Sequence, residues 1–336
     1  MEITEENLDQ ENLLKDMPIQ SENIAYKAEE LIVCKKCGRT NPPNRLKCFY
    51  CAAELEISAE NAELIKPNLR KLETWEKGFN LIYRPQDSEL AVVTEIAKLT
   101  NLEKETVQKI VEAKKSFPLV RCETEKEAEI VKKNLQRLGL ESIIVSDENL
   151  AAEKLPTRLR GLDFLDDKLI LIFFNADEIV EIAREDLVLI VSGAIFERKT
   201  ESIKKRKKGE SKILDATETA SDEVLIDIYT RCDSNGYRIP MKGFDFSCLG
   251  ADKRMIAAEN LKKLTENLNE FAPNSKLVND YLAIRESLGN IWEIEQRKDS
   301  AGLKRHSFGK FDFSNVASSN NLQQFTKYSR LQWQLL

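Results

Sequence analysis

The sequence predicts an α+β multidomain protein: a small cysteine-rich module, a β-α-α-β-α-β domain, and an antiparallel β-rich domain with a closing helix. Three observations support this prediction. Four cysteines lie close together near the N-terminus, strand and helix patterns alternate over residues 79–147, and strand patterns dominate residues 157–336. The 336 residues also exceed what one ordinary core accommodates.

Composition restricts the class of protein. Hydrophobic residues make up 42% and charged residues 32% of the chain, and the formal net charge is −6. This balance argues against a generally basic nucleic-acid coat. The acidic N-terminus does not have the pattern of a secretory signal, and the longest apolar stretch, 187–196, is too short to span a bilayer. We therefore expect a cytoplasmic protein.

The chain begins with a reversal of charge. Residues 1–30 carry nine acids against two lysines, which is typical of a disordered acidic arm. Residues 31–51 carry five cations and no acid. The arm could fold back on this basic module and compete with outside ligands, or it could be a solvated tail.

The first module, residues 31–54, contains the motif C-x2-C-x10-C-x2-C, formed by Cys34, Cys37, Cys48 and Cys51. A two-residue gap lets one tight turn present two thiolates to the same ion, and four thiolates complete a tetrahedron around Zn²⁺. Gly38 suits the sharp turn after the first pair, and two prolines stiffen the connection. We predict one structural zinc ion with no open position for catalysis.

This motif resembles two groups of zinc modules. The phrase at 37–43, CGRTNPP, is similar to the bacterial zinc-ribbon domain, which implies a docking module. The spacing also resembles the Ran-binding-protein type zinc finger, with Asn41 at the matching offset. Ile32 stands where that family has a tryptophan, and in some of its fingers that tryptophan stacks on RNA bases.

The residues around the cysteines suggest two interpretations. Arg39, Asn41, Arg45, Lys47 and Tyr50 could contact a partner or a nucleic acid, with Tyr50 or its neighbour Phe49 stacking on a base. Alternatively, the cations offset the thiolate charge and Phe49 packs the small core.

Residues 55–78 are predicted to be a helical linker, with one helix around 69–77 after Pro67. The next domain, 79–147, begins with a strand at 79–83. Asp87 or Ser88 caps a helix, a second helix follows Asn101, and a strand covers 117–122. Thr124 and Glu127 form a capping box for a third helix that ends at Gly139, and the last strand is 143–145.

Two phrases of this domain, AVVTEIAKLTNLEKETVQKIVE and TEKEAEIVKKNLQRLGLESIIV, resemble the C-terminal domain of the bacterial ribosomal stalk protein, whose fold the Clp-protease N-degron adaptor shares. The second helix lacks the glycine-leucine start and the alanine-lysine pair of the stalk domain. The resemblance implies the fold and a tendency to dock proteins, without contact residues.

Residues 157–336 are predicted to contain strands at 168–174, 187–197, 223–230, 237–239 and 244–246, then a helix at 257–271. This order resembles a pleckstrin-homology-like barrel. In the C-terminal tail, from residue 300, aromatic residues are expected to dock onto the barrel.

A basic run lies between two of these predicted strands, at the tip of an expected long hairpin loop. It consists of Lys204, Lys205, Arg206, Lys207 and Lys208. The run could contact RNA, DNA or an anionic membrane surface, or it could be a solvated loop.

No catalytic motif is recognised. His306 is the only histidine, no nucleophile motif accompanies it, and the remaining cysteines, Cys122, Cys232 and Cys248, are expected to be small buried hydrophobes. We expect a non-enzymatic adaptor without a small-molecule substrate, which docks protein partners. The alternatives are a nucleic-acid- or ribosome-associated protein, using the basic module and the run at 204–208, and a peripheral membrane-surface module.

Overall fold

A computed structural model describes the following residues: 31–43, 45–56, 69–86, 93–174, 179–207, 210–307 and 310–336. Within 203–216 and 300–315 the description covers the backbone alone. The acidic arm predicted for 1–30 and the helix cap predicted at Asp87 or Ser88 lie outside the described residues. The chain divides into two compact units, Met1–Asn68 and Leu69–Leu336, and each is described by itself.

The first unit holds the cysteine-rich module. Strands β1 (Ile32–Val33) and β2 (Thr40–Asn41) form an antiparallel pair, and an isolated bridge joins Lys47 to Glu54. Only Cys34, Cys48 and Leu55 form its buried hydrophobic cluster in the described part of the unit. A cluster of this size is too small to stabilise a fold without an added restraint.

The second unit begins with the predicted β-α-α-β-α-β order. Its elements are β3 (Phe79–Tyr83), α1 (Val93–Thr100), α2 (Lys104–Glu112), β4 (Phe117–Cys122), α3 (Glu125–Arg137) and β5 (Ser142–Ser146), followed by the short helix α4 (Asp147–Leu150). The three strands form an antiparallel sheet in the order β4-β3-β5. The apolar helix faces pack on this sheet, where Leu81 and Ile82 are fully buried.

The start of α3 shows how local sequence sets an element. The Thr124 hydroxyl accepts a 3.2 Å hydrogen bond from the backbone N–H of Glu127, as the capping box predicts. The Glu127 carboxylate accepts from the N–H of Glu123, one residue earlier than the standard motif. Gly139, with φ of 79°, follows the helix in the left-handed conformation.

The helix predicted around 69–77 is wrong: residues 69–78 are coil with one turn. Arg121 donates to the backbone carbonyls of Glu73 and Glu76, and the Glu76 N–H donates to the Glu73 carbonyl within the turn. Arg70 binds the Glu76 carboxylate with two bonds, of 2.8 and 2.7 Å. Tertiary contacts to this segment therefore replace the helical ones.

The β-rich part of the second unit is built around one sheet. Its strands are β6 (Thr157–Phe164), β7 (Lys168–Phe173), β8 (Val180–Ala183), β9 (Leu187–Lys207), β10 (Glu210–Thr230), β11 (Tyr237–Pro240), β12 (Lys276–Val278), β13 (Glu295–Ser307) and β14 (Lys310–Asn320). The strand order is β13-β14-β9-β10-β11-β6-β7-β8, with β12 also paired to β9. The helices are α5 (Ala257–Phe271), α6 (Tyr281–Leu288) and α7 (Leu322–Gln334).

Three details of this part differ from the prediction. The sheet is not wholly antiparallel, because β11 pairs with β6 and β12 with β9 in parallel. Residues 244–246 are not a strand: Asp245 makes one bridge and a 3-10 helix follows at Phe246–Asp252. The long loop expected at 204–208 is mostly strand, since the ladder of β9 and β10 continues to Lys207 and Glu210.

The C-terminal tail ends in the helix α7. Phe325, Tyr328 and Leu331 of α7 are buried, and they belong to the same hydrophobic cluster as Leu81 of β3 and Leu189 of β9. The sheet of residues 79–146 and the β-rich part therefore share one core. No described helix is both long and apolar enough to cross a membrane.

Candidate metal centre

Two turns of the same design hold the four cysteines. In the first, Gly38 donates to the carbonyl of Cys34 (2.8 Å) and Cys34 donates to that of Arg39 (2.9 Å). In the second, Ala52 donates to the carbonyl of Cys48 (2.9 Å) and Cys48 to that of Ala53 (2.7 Å). Both turns need a left-handed residue after the second cysteine, and Gly38 (φ 70°) and Ala52 (φ 55°) supply it.

The four sulfur atoms converge on one point. The sulfurs of Cys34 and Cys51 are 3.6 Å apart, as are those of Cys37 and Cys48, and all four lie within 4.8 Å of one another. A tetrahedral ion with metal–sulfur bonds of about 2.3 Å requires sulfur–sulfur distances of about 3.8 Å. These distances are also far beyond a disulfide bond of about 2.05 Å. The four cysteines can hold a metal ion.

Backbone dipoles favour thiolates in this cluster. The pKa of Cys34 is lowered, chiefly by a hydrogen bond from the backbone of Cys37. Burial raises the pKa of Cys48, but hydrogen bonds from the backbone of Tyr50 and Cys51 bring it down to about 6. The backbone of Arg39 lowers the pKa of Cys37, yet burial and the neighbouring sulfurs raise it to about 12. Four crowded thiolates therefore need a cation among them.

The Asn41 side chain links the two turns by hydrogen bonds to both of them. Its side-chain nitrogen donates to the Arg39 carbonyl (3.0 Å) and to the Cys48 sulfur (3.4 Å), and its oxygen accepts from the Phe49 N–H (2.8 Å). Asn41 is 1% exposed, so its expected role as a partner or nucleic-acid contact is wrong. It instead orients the ligand residues, as groups around a metal's direct ligands commonly do.

The surface of the module presents two aromatic rings. Phe49 is 70% and Tyr50 53% exposed, with their ring centres 5.5 Å apart in an edge-to-face arrangement. The Arg39 guanidinium lies 4.6 Å from the Tyr50 ring centre, and that of Arg45 4.8 Å from the Phe49 ring centre. We call these four residues the aromatic–arginine face. The alternative in which Phe49 packs the core is therefore wrong.

The other predicted contact residues are not all brought together. Lys47 forms an isolated backbone β-bridge with Glu54 within the first unit. Lys204, Lys205, Arg206 and Lys207 belong to β9 of the second unit, and Lys208 lies outside the described residues. Of the three remaining cysteines, Cys122 is buried, Cys248 is half-buried and Cys232 is exposed, which contradicts burial for Cys232.

Sequence reasoning missed a large groove in the second unit, with a volume of about 1260 Å³. Trp75, 78% exposed, and the half-buried Phe196 line it, together with the buried ion pair of Arg121 and Asp147. Its residues are drawn from positions 72–327 without a common spacing, so no local pattern could have revealed it.

The sequence predicted the cluster of four cysteines, which can hold a metal ion. Comparison of the chain with family models, with curated proteins and with solved structures finds no significant match. The resemblances to the stalk, Ran-binding and pleckstrin families therefore stay predictions from the residues.

Proposed function

We propose that the first unit is a zinc-stabilised docking module and that the protein is a non-enzymatic adaptor. The observation that carries this proposal is the aromatic–arginine face, which lies on a module whose described apolar core is only three residues. A bound ion would make the two cysteine turns rigid. The exposed rings would then lose little conformational entropy when a partner binds.

The chemistry of this face indicates the partner. Tyrosine, phenylalanine and arginine are enriched at the centres of protein interfaces, where a ring fills a pocket and a guanidinium meets a carboxylate. Arg39 and Arg45 flank the rings, and no described acid is paired with either in a salt bridge. The partner we propose is a protein with an acidic surface around an apolar pocket.

Zinc is the metal we propose, because four thiolates in a closed tetrahedron are its usual structural site. The ion would leave no position for water, so its role would be structural. Each of the four cysteines would contribute one bond, and folding of the module would depend on metal binding.

Site-specific photocrosslinking tests this function. The photoreactive residue p-benzoylphenylalanine is placed at position 50 of the full-length chain, and at position 219 as the control, where Thr219 is exposed in the second unit. We expect an acidic protein to crosslink from position 50 alone. The crosslink should disappear in Arg39→Glu/Arg45→Glu and in Cys34→Ser/Cys37→Ser.

Two results would contradict the proposal. One is the same set of crosslinked proteins from positions 50 and 219. The other is a crosslink from position 50 that persists when both cysteines are replaced and metal analysis finds no zinc.

A further inference from the structure

The two long hairpins of the second unit lie side by side. Beyond Glu197, β9 pairs with β10 on one side and with β14 on the other, and β14 pairs with β13. We call this four-stranded extension the arm; it comprises residues 197–207, 210–222, 295–307 and 310–320. Eleven residues of strand span about 35 Å, so the arm has a proximal and a distal half.

Charge differs between the two halves. We call the proximal half the shaft. It contains four Lys and Arg against six Asp and Glu and comprises residues 197–202, 217–222, 295–299 and 316–320. Some of these are paired: Lys199 Nζ lies 2.6 Å from Glu201 and Arg297 lies 2.6 Å from Glu295. We call the distal half the tip. It contains eight Lys and Arg against three acids and comprises residues 203–207, 210–216, 300–307 and 310–315. A chain of net charge −6 thus concentrates cations at one end of one sheet.

Strand register places cations of the two hairpins in one row, with one acid between them. One row across the four strands reads Lys304, Asp312, Lys205 and Lys212. Like charges directly opposite on neighbouring strands, as at Lys205 and Lys212, are destabilising. An anionic partner would offset this repulsion, because adjacent strands are only about 4.8 Å apart.

Two aromatic positions lie within the same basic tip. Phe311 and Phe313 are two residues apart in β14 and so belong to one face of the sheet. Their ladder partners include Arg305 for Phe311 and Lys204 for Phe313. Aromatic positions interleaved with cations on a sheet are typical of surfaces that stack the bases of single strands while neutralising their phosphates.

We propose that the arm tip binds single-stranded nucleic acid, with the basic runs of both hairpins meeting phosphates and Phe311 and Phe313 stacking on bases. A membrane surface fits this arrangement less well. Consecutive strand residues alternate between faces, so the positions of the run at 204–207 alternate between the two faces of the sheet. A bilayer presents its charge in one plane, whereas a flexible strand can follow both sides.

Fluorescence anisotropy with a labelled 20-nucleotide single-stranded RNA, and a DNA of the same length, tests the proposal on the full-length chain. Lys204→Gln/Arg206→Gln and Lys304→Gln/Arg305→Gln should each weaken binding about tenfold at low salt. Each should also make the negative slope of log K against log salt shallower by about 1.4, since two phosphate contacts are lost. Phe311→Leu/Phe313→Leu should weaken binding at least about fivefold with the slope unchanged.

The matched control removes the same charge from the shaft, by Arg198→Gln/Lys298→Gln, and should change affinity less than about twofold. Circular dichroism establishes that each variant folds. The proposal is overturned if neither oligonucleotide binds, if only the 204/206 pair matters, or if the shaft variant loses as much affinity. It is equally overturned if vesicles containing phosphatidylserine bind through the tip and the oligonucleotides do not compete.

Discussion

The indole nitrogen of Trp292 donates a 2.8 Å hydrogen bond to the side-chain oxygen of Asn80, across 212 positions of sequence. Both residues are buried, at 2% and 0% exposure. The Asn80 nitrogen in turn donates to the Val145 carbonyl and to Asp147, each at 3.1 Å. This chain of bonds ties the centre of the three-stranded sheet to the segment before β13, so the two parts of the second unit depend on each other.

Replacing Asn80 should destabilise the whole second unit. Asn80→Ala leaves the Trp292 N–H and the Asp147 carboxylate each without one partner in a buried site. We expect the free energy of unfolding to fall by about 3 kcal/mol in urea denaturation followed by circular dichroism. Asn149→Ala, at an exposed asparagine nearby, should change it by less than about 0.5 kcal/mol. Equal effects of the two variants would disprove the role of the buried bond.

Asp147 should make stability depend on acid pH. Burial raises the pKa of this carboxyl, but Lys327, Asn80 and Arg121 together bring it below its ordinary 3.8. A depressed pKa contributes stability that is present above the unfolded-state value and is lost as the pH falls through the folded-state value. The contribution of Asp147 should therefore begin to fall below about pH 4 and vanish once the pH is below the lower folded-state pKa.

The measurement compares melting temperatures of the wild type and Asp147→Asn from pH 7 to pH 2.5. At pH 7 the variant should be less stable by about 3 kcal/mol, because Arg121 and Lys327 lose their buried counter-charge. Below pH 4 the two curves should converge. Both chains carry the same cysteine module, so acid release of any metal bound there affects them equally. Parallel curves over the whole range would exclude this assignment.

Asn41 should control metal affinity without binding the metal. Asn41→Ala removes the bonds to the Cys48 sulfur and to the Phe49 N–H, so the second turn loses its orientation. We expect zinc affinity to fall about 10- to 100-fold in competition with a chromophoric chelator. Thr40→Ala, at the exposed neighbouring position, is the control and should have little effect. An unchanged affinity for Asn41→Ala would show that the amide is dispensable.

Substitutions at the two left-handed residues of the turns, Gly38 and Ala52, should have different effects on zinc binding. Gly38→Ala places a Cβ at φ 70°, which costs about 1 kcal/mol and should weaken zinc binding about fivefold. Ala52→Gly relieves the same strain at φ 55°, although the unfolded chain gains freedom that offsets part of the relief. We expect equal or tighter zinc binding for Ala52→Gly. Weaker zinc binding with Ala52→Gly as well would contradict the strain that we assign to Ala52.

Breaking the ion pair of Asp227 and Arg238 should be costly, whereas replacing both residues by apolar ones should not. Its two bonds measure 2.7 and 2.8 Å in a buried site, and Arg238 also donates to Thr326 of α7 at 3.0 Å. Asp227→Asn should cost about 3–5 kcal/mol, because it leaves the buried guanidinium without a counter-charge. Arg238 Nη1 has no hydrogen-bond partner, so the pair is imperfectly satisfied. The double variant Asp227→Leu/Arg238→Met should therefore recover most of the lost stability in urea denaturation, and no recovery would contradict this.

Local patterns predicted the metal centre and the first sheet because their chemistry is local. Two residues between cysteines suffice to make each metal-binding turn, and the capping box at Thr124 needs only the next three residues. The strands at 79–83 and 117–122 and the helix at 257–271 follow from periodic apolar positions.

Predictions failed where a distant residue supplied the deciding contact. The helix expected at 69–77 is instead coil with one turn, and Arg121 donates to the backbone carbonyls of Glu73 and Glu76 in it. Asn41 was predicted to contact a partner or a nucleic acid, yet it is buried and donates to the Cys48 sulfur. The loop expected at 204–208 is strand because the β9–β10 ladder continues to Lys207 and Glu210, and β14, a hundred residues later, adds a second partner along β9 as far as Lys205. Hydrogen-bond partners so far apart leave no trace in local spacing.

The sequence by itself therefore determined which four thiols could share an ion, the order of the elements in the first half of the second unit, and where the basic residues occur. Only the tertiary structure decided that Phe49 and Tyr50 face solvent, that Trp292 meets Asn80, and that two separate basic runs adjoin at one end of a sheet. The physical reason is range: turn geometry and helix periodicity act over a few residues, whereas burial and strand pairing depend on the whole fold.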